Sequence, residues 1–178
     1  MKKIIIALFL GLLLTGCACS LNDTRPEDAV ETFFDKYRTH DDNVIMQLKQ
    51  TIENEITDDQ NRSDYQELME KQYDQFAYVI KDINNDSNTA IVTVELTVLN
   101  YHEGVLKAEK ELENNKEKFN DENGNYDEEK FMSYKIEKMK EVDDTVTHTI
   151  NLNLTKENGM WKVEQLSNDD ITKLHGLY

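Results

Sequence analysis

The sequence predicts an α+β fold: N-terminal helices packed on a four-stranded, mostly antiparallel sheet, with an αα-hairpin inserted between the second and third strands. Three observations carry this reading. Apolar residues recur at helical spacing up to about residue 73, and the period then switches to two. A helical period returns between residues 102 and 142, separating two pairs of strand-like runs.

The first element is an address. Met1-Lys2-Lys3 is a basic start, and Ile4 to Leu14 is an apolar run of eleven residues. A bilayer span takes about 20, so residues 1–16 read as a secretory signal and stand outside the fold. Leu14-Thr15-Gly16-Cys17 follows. It resembles a bacterial lipobox, in which the Cys17 thiol receives diacylglycerol and a peptidase cuts between Gly16 and Cys17. The alternative is an ordinary secreted protein with a chance cysteine. Residues 17–23 then form a lipidated tether, and 24–178 form a single domain.

Thr24-Arg25-Pro26-Glu27 reads as a helix start, with Thr24 as cap, Pro26 in the first turn and Glu27 completing a capping box. Val30, Phe33, Phe34 and Tyr37 stripe one face of a helix over about 25–38. Ile45, Leu48, Ile52 and Ile56 stripe a second helix. Residues 57–62 read as a polar linker. Ser63 with Gln66 reads as the capping box of a third helix, with Tyr65, Leu68, Met69, Gln72 and Tyr73 on it.

Residues 76–83 read as the first strand and 84–87 as a turn. In the second strand, 89–100, Ala90, Val92, Val94, Leu96 and Val98 face inward and Thr93, Glu95 and Thr97 outward. The third strand, 145–155, repeats this with Val146, His148, Ile150, Leu152 and Leu154 inward. Residues 156–159 form a turn, and 160–166 the last strand. In the hairpin, Val105, Ala108, Leu112 and Phe119 mark one helix, and Phe131, Met132, Ile136, Met139 and Val142 the other. Its stripes are thin, so it is expected to lean on the sheet. Residues 121–126 join the two.

The 178 residues carry 36 Asp+Glu against 20 Lys+Arg, a formal charge of −16. That surface repels nucleic acid and anionic headgroups, so nucleic acid is excluded as a partner. The membrane contact expected is the N-terminal lipid alone. A hydrophobic content of 38% still allows a core. Both cysteines, Cys17 and Cys19, precede the domain, which excludes a disulfide framework or a cysteine zinc site within it.

Pro26-Glu27-Asp28-Ala29-Val30, Tyr73-Asp74-Gln75-Phe76-Ala77-Tyr78 and Trp161-Lys162-Val163 stand where helices give way to a sheet that ends in a Gly-Met-Trp-Lys-Val strand. This arrangement resembles the nuclear transport factor 2-like (cystatin-like) fold, and more narrowly lipoproteins of low-GC Gram-positive bacteria that carry such a domain. The resemblance covers about residues 24–170. It implies a curved, cone-like sheet around an inner face, and an extracytoplasmic protein held on the outer face of the cell membrane. The superfamily contains both enzymes and non-catalytic binding domains, so the fold does not choose between them.

Chemistry-bearing motifs are sparse. The sequence has no phosphate-cradling glycine loop, no G-x-S-x-G and no H-E-x-x-H, and its four histidines are scattered, so no cofactor and no metal are expected. Aligned on Gly124, the 119–126 segment resembles a calcium loop. Phe119 and Lys130 fill its two end positions, however, and a solvated turn fits better. His148 is the one ionisable group in the inward register of its strand, where desolvation lowers its pKa and a buried carboxylate would raise it. Tyr78, Tyr101 and Trp161 are the candidates to line a pocket with it. Asp82, read in register with Phe76, Tyr78 and Ile80, is the candidate acid partner. The expected function is a non-catalytic binding or structural module for a small molecule, peptide or envelope protein. The alternative is an isomerase- or dehydratase-like enzyme working inside the cone.

Overall fold

Between residues 24 and 178, the part that the computed structural model describes, the chain is α+β. The signal at 1–16, the Gly16–Cys17 cleavage point and the tether at 17–23 lie outside the described residues. Helices α1 (Pro26–Arg38), α2 (Asp42–Glu55) and α3 (Asp59–Gln75) come first. Strands β1 (Ala77–Asn85) and β2 (Thr89–Leu99) follow, then α4 (Tyr101–Asn114) and α5 (Glu128–Lys140). Strands β3 (Thr145–Glu157) and β4 (Met160–Val163) and a short α6 (Asn168–Leu174) complete the order. The strands form one open antiparallel sheet in the order β1-β2-β3-β4.

Period-two alternation sets the sheet's faces. Val92, Val94, Leu96 and Val98 of β2 lie beside Leu152, Ile150, His148 and Val146 of β3, on the face that meets Val30 and Phe34 of α1. Burying each large aliphatic or aromatic side chain here contributes about 1.5–3 kcal/mol. The opposite face is polar: Thr93 bonds Asn151 and Thr97 bonds Thr147, each at 2.9 Å, and Lys81 pairs with Glu95. Asn158 and Gly159 turn β3 into β4 with φ of 52° and 81°, as a two-residue hairpin of primed type requires.

A second apolar cluster lies among the helices. Leu48, Ile52 and Ile56 meet Leu68, Met69 and Tyr73 of α3, and Tyr101, Met139 and Val142 close it from the far side. The α4–α5 pair therefore leans on α3, not on the sheet as the sequence suggested. Its contacts with α3 are also polar. Buried Asn61 donates to Glu129 O and accepts from Ser133 Oγ, while Lys140 reaches Asp64 at 2.9 Å. A Cβ on Gly104 would stand 2.6 Å from Lys138 O, so α4 and α5 touch backbone to backbone there.

Several boundaries differ from the sequence reading, each for a physical reason. Thr24 does not cap α1; its Oγ1 accepts the Trp161 N–H at 2.9 Å, occupying the free edge of β4. Asp28, not Glu27, receives the Arg25 N–H at the start of α1. Helix α3 begins at Asp59 because Asp58 accepts the Asn61 N–H, so Ser63 and Gln66 fall inside it. Strand β4 stops at Val163, and Ser167, bonded to the Asp170 N–H, opens the unforeseen α6. Between Ile80 and Asp82 the β1 register slips by one, a bulge that turns Asp82 outward and Ile83 toward the core.

Gln72, fully buried on α3, joins both layers. Its Oε1 accepts the Leu99 N–H at 2.9 Å and its Nε2 donates to Leu99 O at 3.2 Å. Gln72→Leu keeps the volume but strands both backbone groups. It is expected to lower stability by about 2–6 kcal/mol, from two groups at roughly 1–3 each. Denaturant unfolding with an unchanged slope and a lower midpoint checks it.

Candidate functional site

The candidate site residues occupy both clusters. Tyr78 of β1 and His148 of β3 sit opposite Leu96 from either side, so two strand spacings, roughly 10 Å, separate them. Tyr78 is packed on Phe34, with ring centroids 4.4 Å apart, and the Arg38 guanidinium lies 5.0 Å above its ring. Trp161 is buried on β4, across the sheet from Tyr78, with the Lys156 ammonium 5.5 Å from its ring. Tyr101 belongs to the helical cluster, where its hydroxyl donates to Leu68 O at 3.0 Å. The structure thus places Tyr78 and Trp161 in the sheet's core, toward its opposite edges, and Tyr101 in the helical cluster, and does not gather the four side chains around one cavity.

His148 lies on the inward face, and the side chain covering it comes from beyond α6. The Tyr178 ring meets the His148 ring edge-on at 4.1 Å and lies 5.3 Å from His102. The Tyr178 hydroxyl donates to Asn100 Oδ1 at 3.0 Å. His148 Nε2 is buried and makes no hydrogen bond among the described residues. Burial pushes the imidazole below its ordinary pKa, and the Lys173 ammonium pushes it further, against a weaker opposite pull from Asp169. Asp169 is itself ion-paired with Lys173. Asp82, turned outward at the bulge, does not face His148. His148 and Asp82 are therefore not brought together as an acid–base couple.

A second polar set, not foreseen in the sequence, lies where α1, α3 and α6 meet. Tyr73 Oη and His175 Nε2 are 3.0 Å apart, and the Tyr37 ring stands edge-on to Tyr73 at 5.1 Å. Burial pushes Tyr37 up to about 12, raises Tyr73 well above its ordinary value, and lowers His175 to about 4. At neutral pH both partners are uncharged, and one proton lies between Tyr73 Oη and His175 Nε2, its donor set by the imidazole tautomer. Nearby, His40 holds a left-handed φ of 51° as the residue that ends α1, and its Nε2 lies 3.2 Å from Asp74 Oδ1. The one signal for this set in the sequence was Ser167 with Asp170 ahead of Ile171 and Leu174, a capped short helix that would carry His175 inward.

Other features are quickly placed. A shallow depression of about 450 Å³ follows the outer side of α2 past His40, Ile45, Met46 and Lys49. Where α2, α3 and α5 meet, burial raises Glu55 and lowers Lys135. In the loop after Phe119, Asp121 Oδ1 accepts the N–H groups of Asn123 and Asn125, which hold its carboxyl below the ordinary range. Among the described residues no three His, Cys, Asp or Glu side chains converge as a metal site would need. No helix among them is long and apolar enough to cross a membrane. No protein-family model, curated protein or solved structure gives a significant match to this chain.

The His148 environment has a definite pH signature. Its folded pKa lies below the unfolded value of about 6.5, so the stability it contributes is full above pH 6.5 and is lost as acid protonates the ring. An NMR titration is expected to place His148 below 6.5, and Tyr178→Ala, which uncovers the ring, is expected to move it upward.

Proposed function

We propose that this protein is an extracytoplasmic lipoprotein, held on the outer face of the cell membrane by diacylglyceryl Cys17. Its domain, a cone of the nuclear transport factor 2-like kind with the 102–142 helical hairpin inserted, acts as a non-catalytic binding or structural module. The observation that carries the reading is Leu14-Thr15-Gly16-Cys17 directly after an eleven-residue apolar run with a basic start. A short tether from Cys17 to the domain fits the seat of Thr24, whose side chain rests on the edge of β4. Cleavage before Cys17 removes Lys2 and Lys3, so the anchored protein is more acidic still and is repelled by anionic headgroups. A domain that stands off the bilayer on a lipid suits that charge.

The non-catalytic half of the proposal is supported by what fills the inner face. Phe34, Phe76, Tyr78 and Trp161 pack there against the strands, and Tyr178 covers His148. A partner is then met on the outside of the domain, where the sheet's solvent face presents Thr93, Thr97, Thr147 and Asn151.

Membrane fractionation of the wild type against Cys17→Ser tests the anchor. The wild type is expected in the detergent phase with the added mass of two acyl chains on Cys17, because a single chain binds only marginally. The variant is expected in the aqueous fraction. Identical partitioning of the two, with no acyl mass on the wild type, overturns the proposal.

A further inference from the structure

Three of the four histidines converge on one short stretch of chain. His175 lies within the 167–178 segment, and His148 and His102 stand on either side of its Tyr178. The segment is docked at several further points. Leu174 is fully buried in the sheet's core, and Leu177 packs on the helical cluster. Gly176, with φ of 69°, ends α6: its N–H reaches Lys173 O and the Leu177 N–H reaches Thr172 O. Its carbonyl accepts the His102 N–H at 2.7 Å. A Cβ at this glycine would lie 2.0 Å from Leu99 O, so the backbone fits against β2 with no side chain between. None of these contacts belongs to a strand pairing, so the segment can leave without opening the sheet.

We propose that the 167–178 segment is an acid-released strap, locked over the His148 end of the sheet by the neutral His175–Tyr73 hydrogen bond. Protonation puts a charge on a ring that has no carboxylate facing it. From α3, Tyr73 presents a hydroxyl, while Asp74 points to the α1–α2 corner, its Oδ1 3.2 Å from His40 Nε2. From α1 comes the uncharged Tyr37 ring, against Tyr73. On α6, Asp169 and Asp170 both pair with Lys173. The docked state thus has no means of stabilising the proton, while the released state hydrates it. Release uncovers His148, the Leu174 socket and the Gly176 seat at Leu99 together.

Hydrogen–deuterium exchange on the full chain in detergent, corrected for intrinsic rates, tests this. With His175 held at about 4 when docked and free to titrate when released, the released-to-docked ratio rises about 30-fold from pH 7.5 to pH 5. Peptides spanning 167–178 are expected to exchange faster by that factor, while those covering 90–98 and 146–154 stay protected. His175→Gln, which keeps a polar group for Tyr73 but cannot be protonated, is expected to cut the rise to the smaller part that uncovering His148 contributes. Tyr73→Phe leaves the imidazole buried, so it is expected to start from weaker protection and keep the rise. Strap and strands exchanging in step at both pH values, an undiminished rise in His175→Gln, or a flat profile in Tyr73→Phe would each overturn the proposal.

Discussion

The Gln72 side chain closes a gap that the sheet leaves open. Strand β2 runs to Leu99, but β1 pairs with it only as far as Ala77 opposite Thr97, because the chain before Phe76 is helical. The Leu99 N–H and C=O would face the interior unpaired on that side, at a cost of about 1–3 kcal/mol each. Gln72, in the last turn of α3, supplies a donor and an acceptor in the spacing of a missing strand residue. That fixes where α3 crosses the sheet and where β2 gives way to α4. It also builds the surface against which Gly176 is pressed, with Gln72 Nε2 2.8 Å from the position a Cβ would take. The helical layer, the sheet and the α6 tail meet at this one amide.

Two apolar clusters can then share a single wall. Tyr37 touches both, and α3 presents Leu68, Met69 and Tyr73 to the helical cluster while Phe76, just past its end, enters the sheet's core. Chains this acidic repel themselves, and dispersed surface ion pairs such as Lys107–Glu103 return little. Stability therefore rests on these clusters and on the buried polar bonds that hold them in register. Asn61, Gln72, Tyr73 and Tyr101 each spend their hydrogen-bonding groups on another element of the chain.

What was legible in the sequence follows from what local pattern can encode. The alternation in residues 89–99 and 145–155 placed every inward residue of β2 and β3, His148 included, because one misplaced residue would have reversed both faces. The bulge after Ile80 left no such trace. Lys81 is an ordinary strand residue, and only pairing with β2 reveals that it is extra, which is why Asp82 was read on the wrong face. Helix α6 has only seven residues, too short for its period to stand out, although Ser167 and Asp170 marked its start. Gln72 reads as one more polar residue on a helix; its partner lies 27 positions away and has no side-chain signature. The cover over His148 comes from Tyr178, 30 positions along the chain from it, by a path that the sequence does not specify.

The same long-range contacts bear on function. A catalytic histidine needs a proton route to substrate and a partner that sets its charge, whereas His148 has an aromatic ring over it and an ammonium nearby that disfavours its charged form. His175 has a partner but is enclosed with it, so its hydrogen bond serves to hold α6 against α3. Both imidazoles are placed by the fold in neutral form, and both lose that placement on protonation, which makes acid a means of loosening the same end of the sheet that they help to close. In a domain proposed to stand outside the cell on a lipid tether, that coupling joins packing to surroundings. The pH of the surrounding fluid then sets how much of the inner face is covered.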